Sequence, residues 1–235
     1  MTKIITAAYI MIGDEILSGR TKDENLNFLA TNLTNLGINL KEVIIVPDDE
    51  IKIIEAVINL KDQYNYIFTT GGIGPTHDDV TIDSIAKALN DKLILNKKAE
   101  QILIDHYGKN NINKARLKMA ILPSKAKLLN NPVTSAPGFM IENIIVMAGV
   151  PKIMRAMFNS SLEFLDFGDK IISKEISLNV TESFIAKDLS DLQNQFPEVA
   201  IGSYPFFGGT SVVFRSFNKV KINQCYDIIS NKKYE

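Results

Sequence analysis

The first two-thirds of the sequence alternate between short apolar runs and segments with leucine or isoleucine at helical spacing. Ile4–Ile12 is a continuous apolar run, which is typical of a parallel strand buried on both faces. Val43–Val46 and Tyr66–Thr70 predict two further strands, and amphipathic helices are predicted between and after them. The order β-α-β-α-β-α predicts a parallel sheet with helices on both faces.

Local signals set the expected ends of these elements. Thr21 and Glu24 form a candidate capping box for the first helix, and Gly37 is a candidate stop. A helix is expected from about Asp79 to Leu89. Further along, the sequence predicts two short helices within residues 97–120, strands within 126–147, and a helix over 152–160.

The pattern changes near residue 167. The remaining segments read as strand, helix, strand, strand and helix: Ile171–Val180, Glu182–Gln195, Val199–Tyr204, Ser211–Phe217 and Lys219–Ser230. This β-α-β-β-α order predicts a small α+β domain with a KH-like arrangement. We therefore predict two domains, residues 1–166 and 167–235.

Composition excludes several classes of site. A single cysteine, Cys225, excludes an internal disulfide and a cysteine-based zinc cluster, and two histidines exclude a histidine cage. A metal here would be a hard, oxygen-ligated ion such as Mg²⁺ or Mn²⁺. The net charge of -1 gives no general attraction to nucleic acid, so we do not expect a nucleic-acid partner. The apolar start is too short to cross a membrane, so we expect a cytoplasmic protein without a membrane partner.

The strongest local motif is the glycine-rich turn T-T-G-G-I-G-P-T-H-D-D at residues 69–79, directly after a predicted strand. Glycines let the backbone approach a ligand, and the start of the following helix favours phosphate. Ligands of open α/β sheets bind at the carboxyl ends of strands, where this turn lies. The alternative is a purely structural turn in which Asp78 or Asp79 caps the helix.

Acidic residues follow the strands beside this turn. Asp78 and Asp79 next to an anion site suggest a bridging metal or an acid/base role. Glu15 follows the first strand and could face the same ligand, or simply start a helix. Asp48 and Asp49 follow the second strand and have the same two interpretations, and of these we favour caps of the next helix.

Other features are less specific. Ser135–Gly138 and Gly149–Pro151 form small, rigid loops that could build a binding wall. His77 could contact phosphate or be solvated, and Cys225 is expected in a helix core. The aromatic residues of 204–207 could pack, stack on a ring or form an interface.

Five motifs in the same order resemble the N-terminal region of competence/damage-inducible proteins (CinA), within the molybdopterin-binding superfamily of MoaB and MogA. They are G-D-E-I-L-S-G (13–19), T-G-G-I-G-P-T-H-D-D-V-T (70–81), L-P-S-K-A-K-L-L-N-N (122–131), S-A-P-G-F (135–139) and G-V-P (149–151). A similar domain occurs in the eukaryotic FAD synthase, and I-G-S-Y-P-F-F (201–207) resembles the small domain that follows it.

The resemblance implies a three-layer α/β/α sandwich with a mostly parallel sheet, commonly assembled as a homo-oligomer. It implies Asp78, Asp79 and Glu15 as catalytic residues, with Asp78 and Asp79 holding a divalent Mg, Mn or Co ion. The implied ligand-binding residues are Gly13, Asp14, Gly71, Gly72, Gly74, Pro75, Thr76, Thr81, Ser135, Pro137 and Gly138. Ala148 replaces the proline usual in the family, and a counterpart of the family's C-terminal deamidase domain is not expected.

Three functions follow from these observations. The first is a metal-dependent pyrophosphatase that releases AMP from ADP-ribose or FAD. The alternative is a protein of molybdenum cofactor metabolism that binds molybdopterin or transfers an adenylyl group without hydrolysis. An RNA-binding module ranks last, because residues 167–235 have no G-x-x-G loop of the KH type.

Overall fold

The computed structural model describes residues 2–232 and 234, and the chain forms two compact units. The larger unit spans Ile4–Gly168, and the smaller unit contains the residues from Asp169 onward together with Thr2 and Lys3. Each unit has its own core of buried apolar side chains. Among the described residues, no helix has both the length and the apolar character needed to cross a membrane.

The larger unit alternates strands and helices for most of its length. Its strands are β1 (Ile5–Ile12), β2 (Ile38–Val46), β3 (Tyr66–Thr70), β4 (Leu93–Leu95), β5 (Ile121–Pro123), β6 (Lys127–Leu129), β7 (Gly138–Ile141) and β8 (Ile144–Met147). Its helices are α1 (Asp14–Leu17), α2 (Asn25–Asn35), α3 (Glu50–Leu60), α4 (Thr81–Ala88), α5 (Lys97–Tyr107), α6 (Lys114–Lys118) and α7 (Pro151–Ser161). A short 3₁₀ turn, Leu162–Phe164, follows α7.

The main sheet has the strand order β2-β1-β3-β8-β7-β6. The pairs β1/β2, β1/β3 and β3/β8 are parallel, whereas β7 pairs antiparallel with both β8 and β6. Every residue of β3 is buried. Because alternate side chains of a strand point to opposite faces, this burial shows that both faces of the sheet are covered. The mostly parallel α/β fold is therefore confirmed.

The smaller unit has the predicted order, with β9 (Ile172–Leu178), α8 (Glu182–Gln195), β10 (Ala200–Phe206), β11 (Gly209–Ser216) and α9 (Lys219–Ser230). Its strands form an antiparallel sheet in the order β10-β11-β9. Cys225 is fully buried among Val212, Phe214 and Ile222, as expected for a core residue. Burial is also the main cause that raises the pKa of its thiol.

Several local predictions were wrong. The predicted capping box of α2 does not form, because the Asp23 carboxylate accepts the amides of Asn25 and Leu26, each at 3.0 Å. The second strand begins at Ile38 rather than Val43, since Ile38 already pairs with Ile5 of β1. The ladder between β4 and β5 was not predicted at all, because three-residue strands leave no period to read.

Phe158 provides a test of the core of the larger unit. Its ring is 1% exposed and contacts the rings of Phe28 and Phe68, with centroids 5.6 and 6.1 Å away. We expect Phe158→Ala to lower the free energy of unfolding by about 3–5 kcal/mol, because it leaves a cavity in a packed core. Denaturant unfolding followed by circular dichroism measures this loss.

The matched control is Ile58→Ala, which removes a half-exposed side chain from the surface of α3. It should change the free energy of unfolding by only about 0.5 kcal/mol. Equal effects of the two substitutions would contradict the position of Phe158 in the core.

Candidate functional site

The candidate site begins where the parallel strands β1, β3 and β8 end. The glycine-rich turn leaves β3 at Gly71, and the Gly71 amide donates to the carbonyl of Met147 at 3.1 Å. Gly71 and Gly72 have φ angles of 101° and 63°, in the region that favours glycine. A Cβ on Gly71 would overlap the carbonyl oxygen of Ile12. The turn can therefore pass the end of β1 only with glycine at position 71.

The rest of the turn is held by the carboxylate of Asp79. Its Oδ1 accepts the Gly74 amide at 2.7 Å, and its Oδ2 accepts the Thr76 amide at 2.7 Å and the Thr76 hydroxyl. The interpretation of Asp78 or Asp79 as the cap of α4 was wrong, because Val80 occupies the N-cap position. Asp79 instead turns back and closes the loop over residues 74–79.

Thr81, the first residue of α4, is hydrogen-bonded to the turn. Its amide donates to the Gly72 carbonyl at 3.0 Å, and its buried hydroxyl donates to the Gly71 carbonyl at 3.0 Å. Within the described part of the chain, the amides of Gly72 and Ile73 donate to no protein acceptor. Both residues line the cavity described below, so their N–H groups are available to a ligand oxygen.

Lys118, the last residue of α6, holds the same loop from another side. Its ammonium group donates to the carbonyls of Thr76 and Asp79, at 2.9 and 3.0 Å. It also brings a positive charge near Asp78, whose pKa is lowered chiefly by a hydrogen bond from Thr76. The sequence analysis did not select Lys118, because its contacts with the loop span 39 residues or more.

A group of carboxylates lies beside the turn. Asp14 and Glu15 are on the short helix α1, and the Asp14 amide donates to the Asp48 carboxylate at 3.0 Å. Partial burial raises the pKa of Asp48, and the nearby charges of Glu15, Asp14 and Asp78 raise it further. Negative charge is thus concentrated at this edge of the sheet.

The two aspartates after β2 differ from each other. Asp49 caps α3 as predicted, with its side chain accepting the Lys52 amide at 2.9 Å. The same interpretation of Asp48 was wrong, because its carboxylate binds the amide of Asp14 instead. Asp48 therefore lies beside Asp14 and Glu15, in agreement with the alternative interpretation and not with the favoured one.

The turn forms one side of a cavity of about 570 Å³. Seven predicted site residues line it: Glu15, Gly71, Gly72, Gly74, Pro75, Asp79 and Pro137. The lining also contains apolar side chains, namely those of Tyr107, Met119, Val150, Ile153 and Met157. The cavity therefore offers both polar backbone groups and apolar surface.

The remaining predicted residues are not among those that line the cavity. The carboxylate of Glu15 lies over Gly13, where a Cβ would be 2.5 Å from Oε2. Thr76 and Asp78 belong to the loop that Asp79 closes. Ser135 has a φ of 61°, and its hydroxyl is 3.0 Å from Nδ1 of His106. Gly138 begins β7, where a Cβ would be 2.6 Å from the Val146 carbonyl oxygen.

The cavity lining also depends on two asparagines that the sequence analysis did not select. Asn131 is buried, and its side chain bonds Val133, Thr134 and Ala136, which shapes the loop before β7. Asn25 donates to the carbonyl of Gly149 at 2.7 Å and anchors the loop before α7. In the sequence, Asn131 appears only as the last residue of the motif at 122–131.

The sequence analysis also considered His77 and a metal ion as parts of the site. The side chain of His77 is fully exposed and lies 3.9 Å from the Asp78 carboxylate. In residues 2–232 and 234, no three His, Cys, Asp or Glu side chains form a group that could hold a metal ion. Any cation bound by this chain would therefore take ligands from another source as well.

Two known protein families match the sequence of this chain. Residues 8–166 match the family described as a probable molybdopterin binding domain, which covers most of the chain. The chain belongs to this molybdopterin-binding family. Residues 170–233 match a second family, the middle domain of FAD synthase. The predicted resemblance is confirmed, and the small domain is FAD-synthase-like.

Individual relatives agree with these matches. A protein of Archaeoglobus fulgidus is 35% identical over 92% of this chain and 92% of its own length. A probable FAD synthase of Caenorhabditis elegans is 30% identical over 85% of this chain and 44% of its own length. A CinA-like protein of Flavobacterium psychrophilum is 32% identical over 82% of this chain and 49% of its own length. The chain thus spans about half of each of the last two proteins.

A solved structure supports the fold of the larger unit. The protein CinA of Thermoplasma acidophilum, described as having unknown function, superposes with a TM-score of 0.65 and 32% identity. The superposition covers 68% of this chain and 98% of that protein. The chain is therefore a molybdopterin-binding-family protein with a CinA-like main domain.

Lys118 generates the first prediction for the site. We expect Lys118→Met to increase amide hydrogen exchange in residues 74–79 by about tenfold or more, because the loop loses two charge-assisted hydrogen bonds. Hydrogen-exchange mass spectrometry measures the rates. Lys114→Met on the same helix is the control and should leave them unchanged. Unchanged exchange in Lys118→Met would show that the loop does not depend on this contact.

Asp48 generates a second prediction, on stability against pH. Its raised pKa means that the charged form is disfavoured in the folded state, so folding loses stability as pH rises through that pKa. Asp48→Asn should therefore be more stable than the wild type at pH 7. The difference should shrink as pH falls below the carboxylate range, where Asp48 is neutral.

Urea unfolding at pH 7 and at low pH measures this effect. Asp62→Asn, at an exposed position beyond the end of α3, is the control and should be neutral at both values. A destabilised Asp48→Asn variant at pH 7 would show that the Asp14 contact outweighs the repulsion between carboxylates.

Proposed function

We propose that the cavity binds a nucleotide with a diphosphate group and that the protein hydrolyses this group, releasing AMP from FAD or ADP-ribose. The observation that carries the proposal is the position of Glu15, Asp48 and Asp78 beside a turn with two available amides. Carboxylates next to an anion site are unfavourable unless they bind a cation or act on a proton. Both uses are part of diphosphate chemistry.

A divalent cation fits the residues that are present. The donors are carboxylate oxygens, which are the ligands of hard ions such as Mg²⁺. Partial burial raises the pKa of Asp48, and the charges of Glu15, Asp14 and Asp78 add to this effect. Mg²⁺ commonly uses one or two protein carboxylates and completes its shell with water and substrate phosphate. Asp78 would hold the ion, together with Asp48 or Glu15.

Asp79 is proposed to act by holding the loop as well as by adding negative charge. Both of its oxygens accept hydrogen bonds from the loop over residues 74–79. An ion bound beside it would neutralise the charge of the diphosphate and polarise water for attack. The amides of Gly72 and Ile73 would bind a phosphoryl oxygen, and Lys118 would keep them in position through the loop.

Two comparisons support a nucleotide substrate. The match of residues 170–233 to the FAD synthase middle domain and the similarity to a probable FAD synthase both concern proteins of flavin nucleotide chemistry. The apolar side chains that line the cavity suit the planar ring of such a ligand. We further propose that the protein acts in the cytoplasm and as a homo-oligomer.

Asp78 provides the decisive variant. The side chain of Asp78 is 63% exposed, and its removal leaves the Asp79 bonds of the loop in place. We expect Asp78→Asn to lower AMP release by about a hundredfold or more, because a charge-bearing ligand of the reacting group is lost. AMP is measured after incubation of FAD, ADP-ribose or NADH with Mg²⁺, Mn²⁺ or Co²⁺.

Asp62→Asn serves as the control, because this exposed carboxylate lies beyond the opposite end of α3 from Asp49. It should retain the wild-type rate. Full activity in Asp78→Asn, or no AMP with any substrate and metal, would contradict the proposed reaction.

The second candidate function is molybdopterin binding or adenylyl transfer without hydrolysis. The observation that favours it is the family match of residues 8–166. The same cavity would accept a pterin ring on its apolar lining and the phosphate at the turn. Saturable pterin binding in the absence of AMP release would select this function over the first.

A further inference from the structure

The cavity lining includes one member of a stacked pair of side chains. Tyr107 is the last residue of α5 and lines the cavity. The guanidinium carbon of Arg116, on α6, lies 4.1 Å from the centre of the Tyr107 ring. Arg116 is fixed in turn, because its Nη1 donates to the carbonyl of Asn111. One face of the ring is therefore covered by a cation.

The orientation of the ring is held from the side as well. The ring of His106 contacts Tyr107 edge to face, with centroids 4.6 Å apart and planes at 85°. Tyr107 packs against the main core but is only half-buried, so part of the side chain remains accessible. An aromatic ring fixed by two neighbours and left partly open to a cavity has the form of a stacking surface.

The surroundings of Tyr107 match one class of ligand. Met119 and Ile73 add apolar surface to the same cavity, and the amides of Gly72 and Ile73 are available at the turn. A molecule with a planar heteroaromatic ring at one end and a phosphate at the other uses both regions. A sugar phosphate without a ring uses only the turn.

We propose that Tyr107, backed by Arg116, is the stacking subsite for the heteroaromatic ring of the ligand. This inference rests on the proposed function, since the phosphate of the same ligand occupies the glycine-rich turn. The ring is a purine, an isoalloxazine or a pterin, which share a flat π-face. Stacking of a base on an aromatic side chain strengthens binding by roughly tenfold to a hundredfold.

The composition of the chain allows a direct spectroscopic test. The sequence contains no tryptophan, so Tyr107→Trp introduces a single indole at the subsite. Titration with AMP or FMN should quench its fluorescence in a saturable manner, after inner-filter correction. Ribose 5-phosphate, which has the phosphate without the ring, should not quench it. The ring that quenches at lower concentration identifies the preferred ligand.

Tyr204→Trp is the matched control. Tyr204 is an exposed tyrosine in the smaller unit, so its replacement should show only linear, collisional quenching. Absence of saturable quenching by both AMP and FMN in Tyr107→Trp would overturn the proposal. Equal quenching by ribose 5-phosphate would also overturn it, because the signal would then not require a ring.

Binding to variants without the indole separates stacking from a structural role. Tyr107→Leu should weaken binding of the quenching ligand by roughly tenfold or more and leave ribose 5-phosphate affinity unchanged. Tyr107→Phe keeps the ring and should bind as the wild type does. Equal weakening for both ligands in Tyr107→Leu would show that Tyr107 supports the fold of the site instead.

The outcomes for this subsite and for the proposed reaction can be told apart. Saturable quenching without AMP release from FAD or ADP-ribose would keep the stacking subsite and remove the hydrolase. AMP release by the wild type without quenching in Tyr107→Trp would keep the hydrolase and remove the subsite.

Discussion

The shape of the crevice depends on the carboxylate of Asp79, which accepts the amides of Gly74 and Thr76 at the same time. Without these bonds, the backbone over residues 74–79 has no regular partner, because it lies between a strand and a helix. The amides of Gly72 and Ile73, just before this loop, have no protein acceptor among the described residues. One side chain thus fixes the loop that follows these two donors.

The negative charges of the site lower the stability of the folded state and favour the binding of a cation. Carboxylates of Asp14, Glu15, Asp48 and Asp78 lie close enough to raise the pKa of Asp48, which makes the folded state less favourable at neutral pH. Lys118 offsets part of this charge while it bonds the loop. A site that retains such repulsion is typical of one that binds a cation or moves a proton.

The sequence predicted the framework better than the contacts within the site. Three elements have the predicted limits, because the sequence marks their ends clearly. They are Tyr66–Thr70, Glu182–Gln195 and Lys219–Ser230. The contacts of Asp48 and Lys118 were not predicted, since their partners are 34 residues or more away in the chain. Local patterns show which residues form an element, whereas distant contacts depend on how the elements pack.

The two parts of the cavity would suit different parts of one ligand. We propose that the glycine-rich turn binds phosphate through backbone amides, which carry no information about the attached group. The apolar lining around Tyr107 and Met119 would bind a flat ring, and a pterin, a purine and a flavin all have one. Neither part distinguishes binding from hydrolysis. That distinction would fall to the carboxylates of Glu15 and Asp79, which line the cavity, and of Asp48 and Asp78 beside them, because carboxylates can add a cation site or a proton acceptor.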